Sequence, residues 1–313
     1  TNFTGLVTVR DGARLILEGV PGATDNPLAD NAVTVEDGGT VQLSAAGQYD
    51  NDITIAGQGW GERDMPSGVL RQGALQLENG ADLAGGLTLG QSAGGHARVS
   101  VIYGAAAEAV ISGVIQDGTA PAPDQLEKFG DSALRLTNAN TYTFGTLLTG
   151  GTLILDNDLA LNSWVQRNDG MGNFDQGKYF TSQGGVVIMA ANGQTIKIED
   201  DRTLKNHFAV DNIGDPSGSG KSALAFDIAS GKTLTIKDVV SAGGGWLTYG
   251  GAISINADPG GQSPGAPLKL TGGGKLSFIN NQSVNGHGGA VGVYVDTGSP
   301  TLDLSGLAGG VEF

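Results

Sequence analysis

The chain has 313 residues, 54 of them glycine and none cysteine, and 32 acidic against 17 basic residues give a net charge of −15. That balance argues against a nucleic-acid partner, because phosphate backbones are met by basic surfaces, and three histidines without a cysteine argue against a zinc site. Glycine at more than double its usual share of roughly 7% would suit collagen or disorder, but there is no Gly-X-Y period and Leu, Val and Ile alternate throughout.

One short phrase recurs along the chain: a small or turn residue, an apolar residue, any residue, and a second apolar residue. In order, its apolar pairs are Leu15 and Leu17, Val41 and Leu43, Leu75 and Leu77, Leu134 and Leu136, Leu153 and Leu155, Ile196 and Ile198, Leu234 and Ile236, Leu276 and Phe278, and Leu302 and Leu304. Period-two alternation after a turn residue predicts strands with one face buried. Grouping the intervals between phrases as 14 turns gives about 20 residues per turn, within the range of solenoid repeats. The glycines then serve tight corners between short strands.

Between the phrases lie irregular stretches. Residues 116–125, with two prolines, are expected to form an exposed loop. Residues 162–184 break the pattern and carry Trp164, Arg167, Phe174, Lys178, Tyr179 and Phe180 among Gly, Asn and Asp. They are expected to form a loop protruding from the repeat scaffold, where binding usually resides, and these six residues are the candidate binding set. The same aromatics would also serve merely to close the loop on itself. Residues 200–212 are expected to form a short helix or an irregular turn, residues 214–222 a polar hairpin or loop, and residues 258–266 a further interruption. No composition shift marks a second domain, so residues 1–313 read as a single repeat domain. No apolar run approaches the roughly 18 residues of a spanning helix. Thr1 opens directly into strand-like sequence, so the chain reads as an internal piece with Phe313 at a fragment boundary.

Residues 126–153 carry a family signature. Leu126, Lys128 and Gly130 lead into Leu134 and Leu136, followed by Asn140-Thr141-Tyr142, Gly145-Thr146 and Gly151-Thr152-Leu153. This closely resembles the autotransporter-associated β-strand repeat, with Ser132 and Phe144 where that family commonly has glycine. Ile111-Ser112-Gly113-Val114-Ile115 resembles the strand that precedes such repeats, and residues 52–59 resemble passenger segments of the same family. The resemblance implies an all-β chain folded as a right-handed parallel β-helix (solenoid) with protruding loops. It further implies export to the bacterial outer membrane, cell surface or medium through a C-terminal translocator barrel lying outside this chain. Phe278-Ile279-Asn280-Asn281, with Gly250-Gly251-Ala252-Ile253 and Gly288-Gly289-Ala290-Val291, resembles repeats of chlamydial polymorphic outer-membrane proteins, a further group of exported adhesins. In physical terms such Asn side chains bond along successive turns, and Gly-Gly-Ala permits a tight corner.

Catalytic motifs fail on spacing. Gly214 to Ser222 resembles a phosphate loop, but Asp215 stands where its first glycine belongs, and Ala223-Leu224-Ala225-Phe226 continues as a strand instead of a helix. Gly130-Asp131-Ser132 echoes a serine nucleophile but lies inside the strand repeat, and the available bases are His96, His207 and His287, of which His96 and His287 sit beside glycine corners and so are expected in exposed turns. Acidic clusters remain at Asp50 with Asp52, Asp156 with Asp158, and Glu199-Asp200-Asp201-Arg202. They suit either solvated corners, Ca²⁺, or acid–base work on an acidic glycan. The expected function is therefore a non-catalytic adhesin or spacer without cofactor or metal, whose partner is a host or neighbouring-cell surface protein or glycan. The alternative is a β-helix polysaccharide lyase or hydrolase.

Overall fold

The structure is a computed structural model that describes residues 5–18, 28, 31–60, 73–101, 107–120, 124–143, 145–161, 186–189, 194–211, 224–241, 251–256, 268–283, 288–294, 302–303 and 306–313. The chain divides into two compact units, Thr1–Phe144 and Gly145–Phe313, and the boundary falls within the 126–153 repeat.

In the first unit the chain returns to the same sheets on each coil. Coil one carries β1 (Val7–Val9) and β2 (Arg14–Leu17), and coil two β3 (Val33–Val35), β4 (Thr40–Leu43) and β5 (Gly47–Tyr49). Coil three carries β6 (Ile53–Ile55), β7 (Leu75–Leu77) and β8 (Ala81–Leu83), and coil four β9 (Leu87–Leu89), β10 (His96–Val101) and β11 (Glu108–Ile111). Coil five carries β12 (Ile115–Asp117), β13 (Gln125–Phe129) and β14 (Ala133–Leu136). Sheet I stacks β1-β3-β6-β9-β12, sheet II β2-β4-β7-β10-β13 and sheet III β5-β8-β11-β14, every described pair being parallel.

The second unit repeats the scheme. Its coils carry β15 (Thr146–Leu148) and β16 (Thr152–Leu155); β17 (Val186–Met189), β18 (Gln194–Ile198) and β19 (Arg202–Leu204); and β20 (Phe208–Asp211), β21 (Leu224–Ile228), β22 (Thr233–Lys237) and β23 (Val240–Ser241). Next come β24 (Ile253–Asn256), β25 (Leu268–Thr271), β26 (Lys275–Ile279) and β27 (Gln282–Ser283), then β28 (Val291–Tyr294), β29 (Leu302–Asp303) and β30 (Val311–Glu312). Sheet IV stacks β15-β17-β20-β24-β28, sheet V β16-β18-β21-β25-β29 and sheet VI β19-β22-β26-β30, with β23-β27 as a small fourth sheet. The described residues are thus all β, and their strand succession is that of a parallel β-helix.

The coils are longer and less even than the sequence spacing suggests. Val7, Val33, Ile53, Leu87 and Ile115 are register partners on sheet I, so successive coils take 26, 20, 34 and 28 residues. The interval from Val41 to Leu75, which a turn of about 20 residues would count as two, is a single coil. The recurring phrase also serves different faces: Leu75 lies on sheet II, Leu134 on sheet III and Leu234 on sheet VI. Alternation reports which side of a strand is buried, but each corner absorbs a different length of chain, so spacing does not count coils.

The interior of each unit is a set of in-register apolar rows. Val33, Ile53 and Leu87 line sheet I, Val41, Leu75 and Val99 sheet II, and Ala81, Ala109 and Leu134 sheet III, all fully buried. In the second unit Phe208 from sheet IV meets Phe226 from sheet V edge to face, with ring centroids 5.2 Å apart. Two expectations are corrected here. Residues 202–204 and 208–211 are strands, not a helix or irregular turn. Within 116–125, Asp124 is buried and Gln125 already begins β13, because Asp124 accepts from the amides of Gly57 and Ser92 on two earlier coils, at 3.0 and 2.8 Å.

Candidate functional site

The acidic clusters of the second unit come together through coil stacking. Asp156 and Asp158 follow β16, Glu199 to Arg202 follow β18, and Lys232 precedes β22, so their turns lie on successive coils. Asp158 Oδ1 accepts from the Thr203 amide at 2.9 Å, and Asp201 Oδ1 from the Thr233 amide at 2.7 Å. Arg202 Nε donates to the Leu155 carbonyl at 3.2 Å, and its Nη2 lies 3.8 Å from Asp156 Oδ1. Lys232 Nζ contacts Asp200 Oδ1 at 2.7 Å, and Lys197 contacts Glu199 at 2.5 Å. The Lys232 hydrogen bond and charge hold the Asp200 carboxyl below its ordinary range, while Asp200 in turn raises Lys232. A general acid in glycoside hydrolysis needs the opposite shift. Asp158, Asp200 and Asp201 act as acceptors that join one coil to the next, Asp156 faces Arg202 of the following coil, and Glu199 pairs within its own coil.

The same use of side chains recurs elsewhere. Asp52 accepts from the Gly86 amide at 2.8 Å, Asp82 from the amide and hydroxyl of Ser112, and Asp117 from the amide and hydroxyl of Thr143. Asn140 of the Asn-Thr-Tyr segment accepts from the Ile115 amide at 2.8 Å, and Asn281 bonds both the Val239 amide and the Ile236 carbonyl. The paired glycine corners also stack: the Gly251 amide donates to Gly288 and the Ala252 amide to Ala290. A Cβ at Gly251 would lie 1.9 Å from the Gly289 carbonyl oxygen, so that corner requires glycine.

Lys128 is the most unusual buried group. It is the register partner of Val99, which pairs with Leu75, which in turn pairs with Val41, and so stands in an apolar interior row. It is completely buried, and Nζ donates to the carbonyls of Gly130 and Ser132 at 2.5 Å each. Burial lowers its pKa to about 7, against an upward pull from Asp131. Beside it Arg98 pairs with buried Glu127 at 2.9 Å and lies 4.3 Å from the Phe129 ring centroid. Ser132 is 2% exposed, which closes it to a substrate. His96 opens β10 half-buried, contrary to the expected exposed turn, and His207 is buried with Nε2 2.9 Å from Ser254 Oγ.

One surface feature went unread in the sequence. Thr8, Thr34, Thr54 and Thr88 are consecutive register partners at the outward centres of β1, β3, β6 and β9, followed by Gln116 on β12. The signal was present as Val-Thr-Val, Val-Thr-Val, Ile-Thr-Ile and Leu-Thr-Leu, but the intervals between these triplets differ.

The candidate binding set Trp164, Arg167, Phe174, Lys178, Tyr179 and Phe180 lies outside the described residues, as do 214–222, 258–266 and His287. Among the described residues no group of three or more His, Cys, Asp or Glu side chains is placed to hold a metal ion. Compared with known proteins, the chain matches no family model, no curated protein and no solved structure.

Proposed function

We propose that this chain is the passenger part of an exported bacterial surface protein, a β-helix acting as adhesin or spacer without catalysis. The observation that carries this reading is the use made of the acidic side chains. Asp52, Asp82, Asp117, Asp158 and Asp201 each accept a backbone amide from the following coil, so one acid from each candidate cluster, Asp52, Asp158 and Asp201, serves the scaffold. The repeat residues agree with a scaffold role: Leu126, Leu134, Leu136 and Tyr142 fill the interior of the first unit, and Asn140 joins two coils. Export through a translocator barrel and contact with a surface protein or glycan of another cell follow from the resemblance to autotransporter repeats.

The test is to express the chain with the full coding sequence around it in a bacterial host and treat intact cells with protease. Release of the 313-residue segment from living cells, with adhesion to host or sister cells lost on release, is the expected result. Retention inside the cell overturns export. Turnover of an acidic polysaccharide, abolished by Asp201→Ala in a folded protein, overturns the non-catalytic reading.

A further inference from the structure

We propose that the threonine row of sheet I is a binding face for an ordered lattice of water, the surface of ice. Neighbouring strands lie about 4.8 Å apart, so the four threonines mark a row about 14 Å long at a fixed repeat. Backbone hydrogen bonds join the strands, and Val33, Val35, Ile53, Ile55, Leu87 and Leu89 are buried beneath them at 1% exposure or less. The row is ordered before any partner arrives, which removes most of the entropy loss of binding.

The hydroxyls are available. Among the described residues no side-chain hydrogen bond engages Thr8, Thr34 or Thr54, and Thr88 takes one, from Gln116 Nε2 at 3.2 Å. The hydroxyls of Ser112 and Thr143, by contrast, are engaged by aspartates of the preceding coil. Thr8 is exposed and the other three are half-buried, so each reaches solvent.

The residues beside the row differ along its length. Register places Leu6, Ala32, Asp52 and Gly86 along one side of Thr8, Thr34, Thr54 and Thr88, and Arg10, Glu36, Ala56 and Gly90 along the other, so the flanks are smallest around Thr88 and bulkiest around Thr8. Asp52 is held by the Gly86 amide. Strand preference alone does not explain the uniformity. Threonine suits any outward strand position, yet the matching row on sheet III reads Gln48, Asp82, Val110 and Arg135.

The chemistry selects the partner. The row carries no charge in a chain of net charge −15, which favours an uncharged lattice over a polyelectrolyte. It has no aromatic platform, whereas small-ligand sites are concave and largely apolar or aromatic. A repeated methyl and hydroxyl at one fixed spacing fits a partner that is itself periodic and hydrogen-bonding. This inference stands apart from the export reading.

The experiment measures partition of the intact chain into slowly grown ice, together with inhibition of ice recrystallisation. Enrichment in the ice fraction is expected, with at least a tenfold fall for Thr54→Lys and for Thr54→Tyr, the latter keeping a strong strand former at the position. Gln48→Lys on sheet III should partition as the parent does, and circular dichroism should confirm that the compared variants are folded. Exclusion of the parent chain from ice overturns the proposal, as does parental partition of a folded Thr54 variant. Binding to a glycan or to a second copy of the chain, without partition into ice, overturns it equally.

Discussion

Lys128 Nζ lies 2.5 Å from the carbonyl oxygen of Ser132, inside an interior row otherwise built of Val41, Leu75 and Val99. An ammonium group therefore occupies a position that alternation reserves for an apolar side chain. The neighbouring Gly130 and Ser132 carbonyls are its compensation.

This burial makes stability depend on pH. The unfolded chain holds the Lys128 proton up to about pH 10.5, whereas the folded chain releases it near pH 7. Between those values the unfolded state binds more protons, so the contribution of Lys128 to stability rises with pH from about 7 to 10.5 and is level below 7. Urea midpoints at pH 7 and pH 9.5 should differ in that direction, by on the order of a few kcal/mol in unfolding free energy. Lys128→Met should remove the slope together with the two hydrogen bonds that Nζ makes to the Gly130 and Ser132 carbonyls. An unchanged slope in that variant would refute the assignment.

The coil-joining role of Asp201 predicts a graded response. Asp201→Asn keeps an oxygen facing the Thr233 amide and should change stability little, whereas Asp201→Ala should cost about 0.5–1.5 kcal/mol. Denaturant melts of the two variants distinguish this role from repulsion within the acidic cluster, which would make both substitutions stabilising.

The Phe208–Phe226 contact joins sheets IV and V across the interior of the second unit. Phe226→Ala should cost about 3–5 kcal/mol by removing a fully buried ring. A double-mutant cycle with Phe208→Leu and Phe226→Leu should return a coupling of about 0.5–1.5 kcal/mol. Additivity of the two substitutions would show that the rings act only as volume.

Gly113 marks a corner where successive coils touch through backbone. A Cβ there would lie 1.8 Å from the Gly85 carbonyl oxygen, and one at Gly85 would lie 2.1 Å from that of Asn51. Gly113→Ala should therefore destabilise strongly, because the opposing atom belongs to a hydrogen-bonded coil and cannot turn aside. Gly12, with open space around it but a φ of +72°, should show only the backbone penalty of about 1 kcal/mol on replacement by alanine. Thermal melts of the two variants side by side test the ranking.

Local alternation was enough to place the strands and their buried sides. Leu75 and Leu77, Leu134 and Leu136, and Leu234 and Ile236 all point inward as their alternation requires, since burial of one strand face is a local property of a period-two pattern. The sequence also carried the Gly-Gly-Ala corners and the Asn281 bridge, whose chemistry is likewise local. Which sheet each strand joins, and how many residues close each coil, emerged from the folded chain alone, because corners of unequal length separate partners by 20 residues in one place and 34 in another. The same register made Asp158 and Asp201, members of two separate acidic clusters, into coil-joining acceptors and aligned Thr8, Thr34, Thr54 and Thr88 into one row. Side chains far apart along the chain become neighbours through parallel stacking, and that stacking is set by the pairing of whole coils, which no local pattern records.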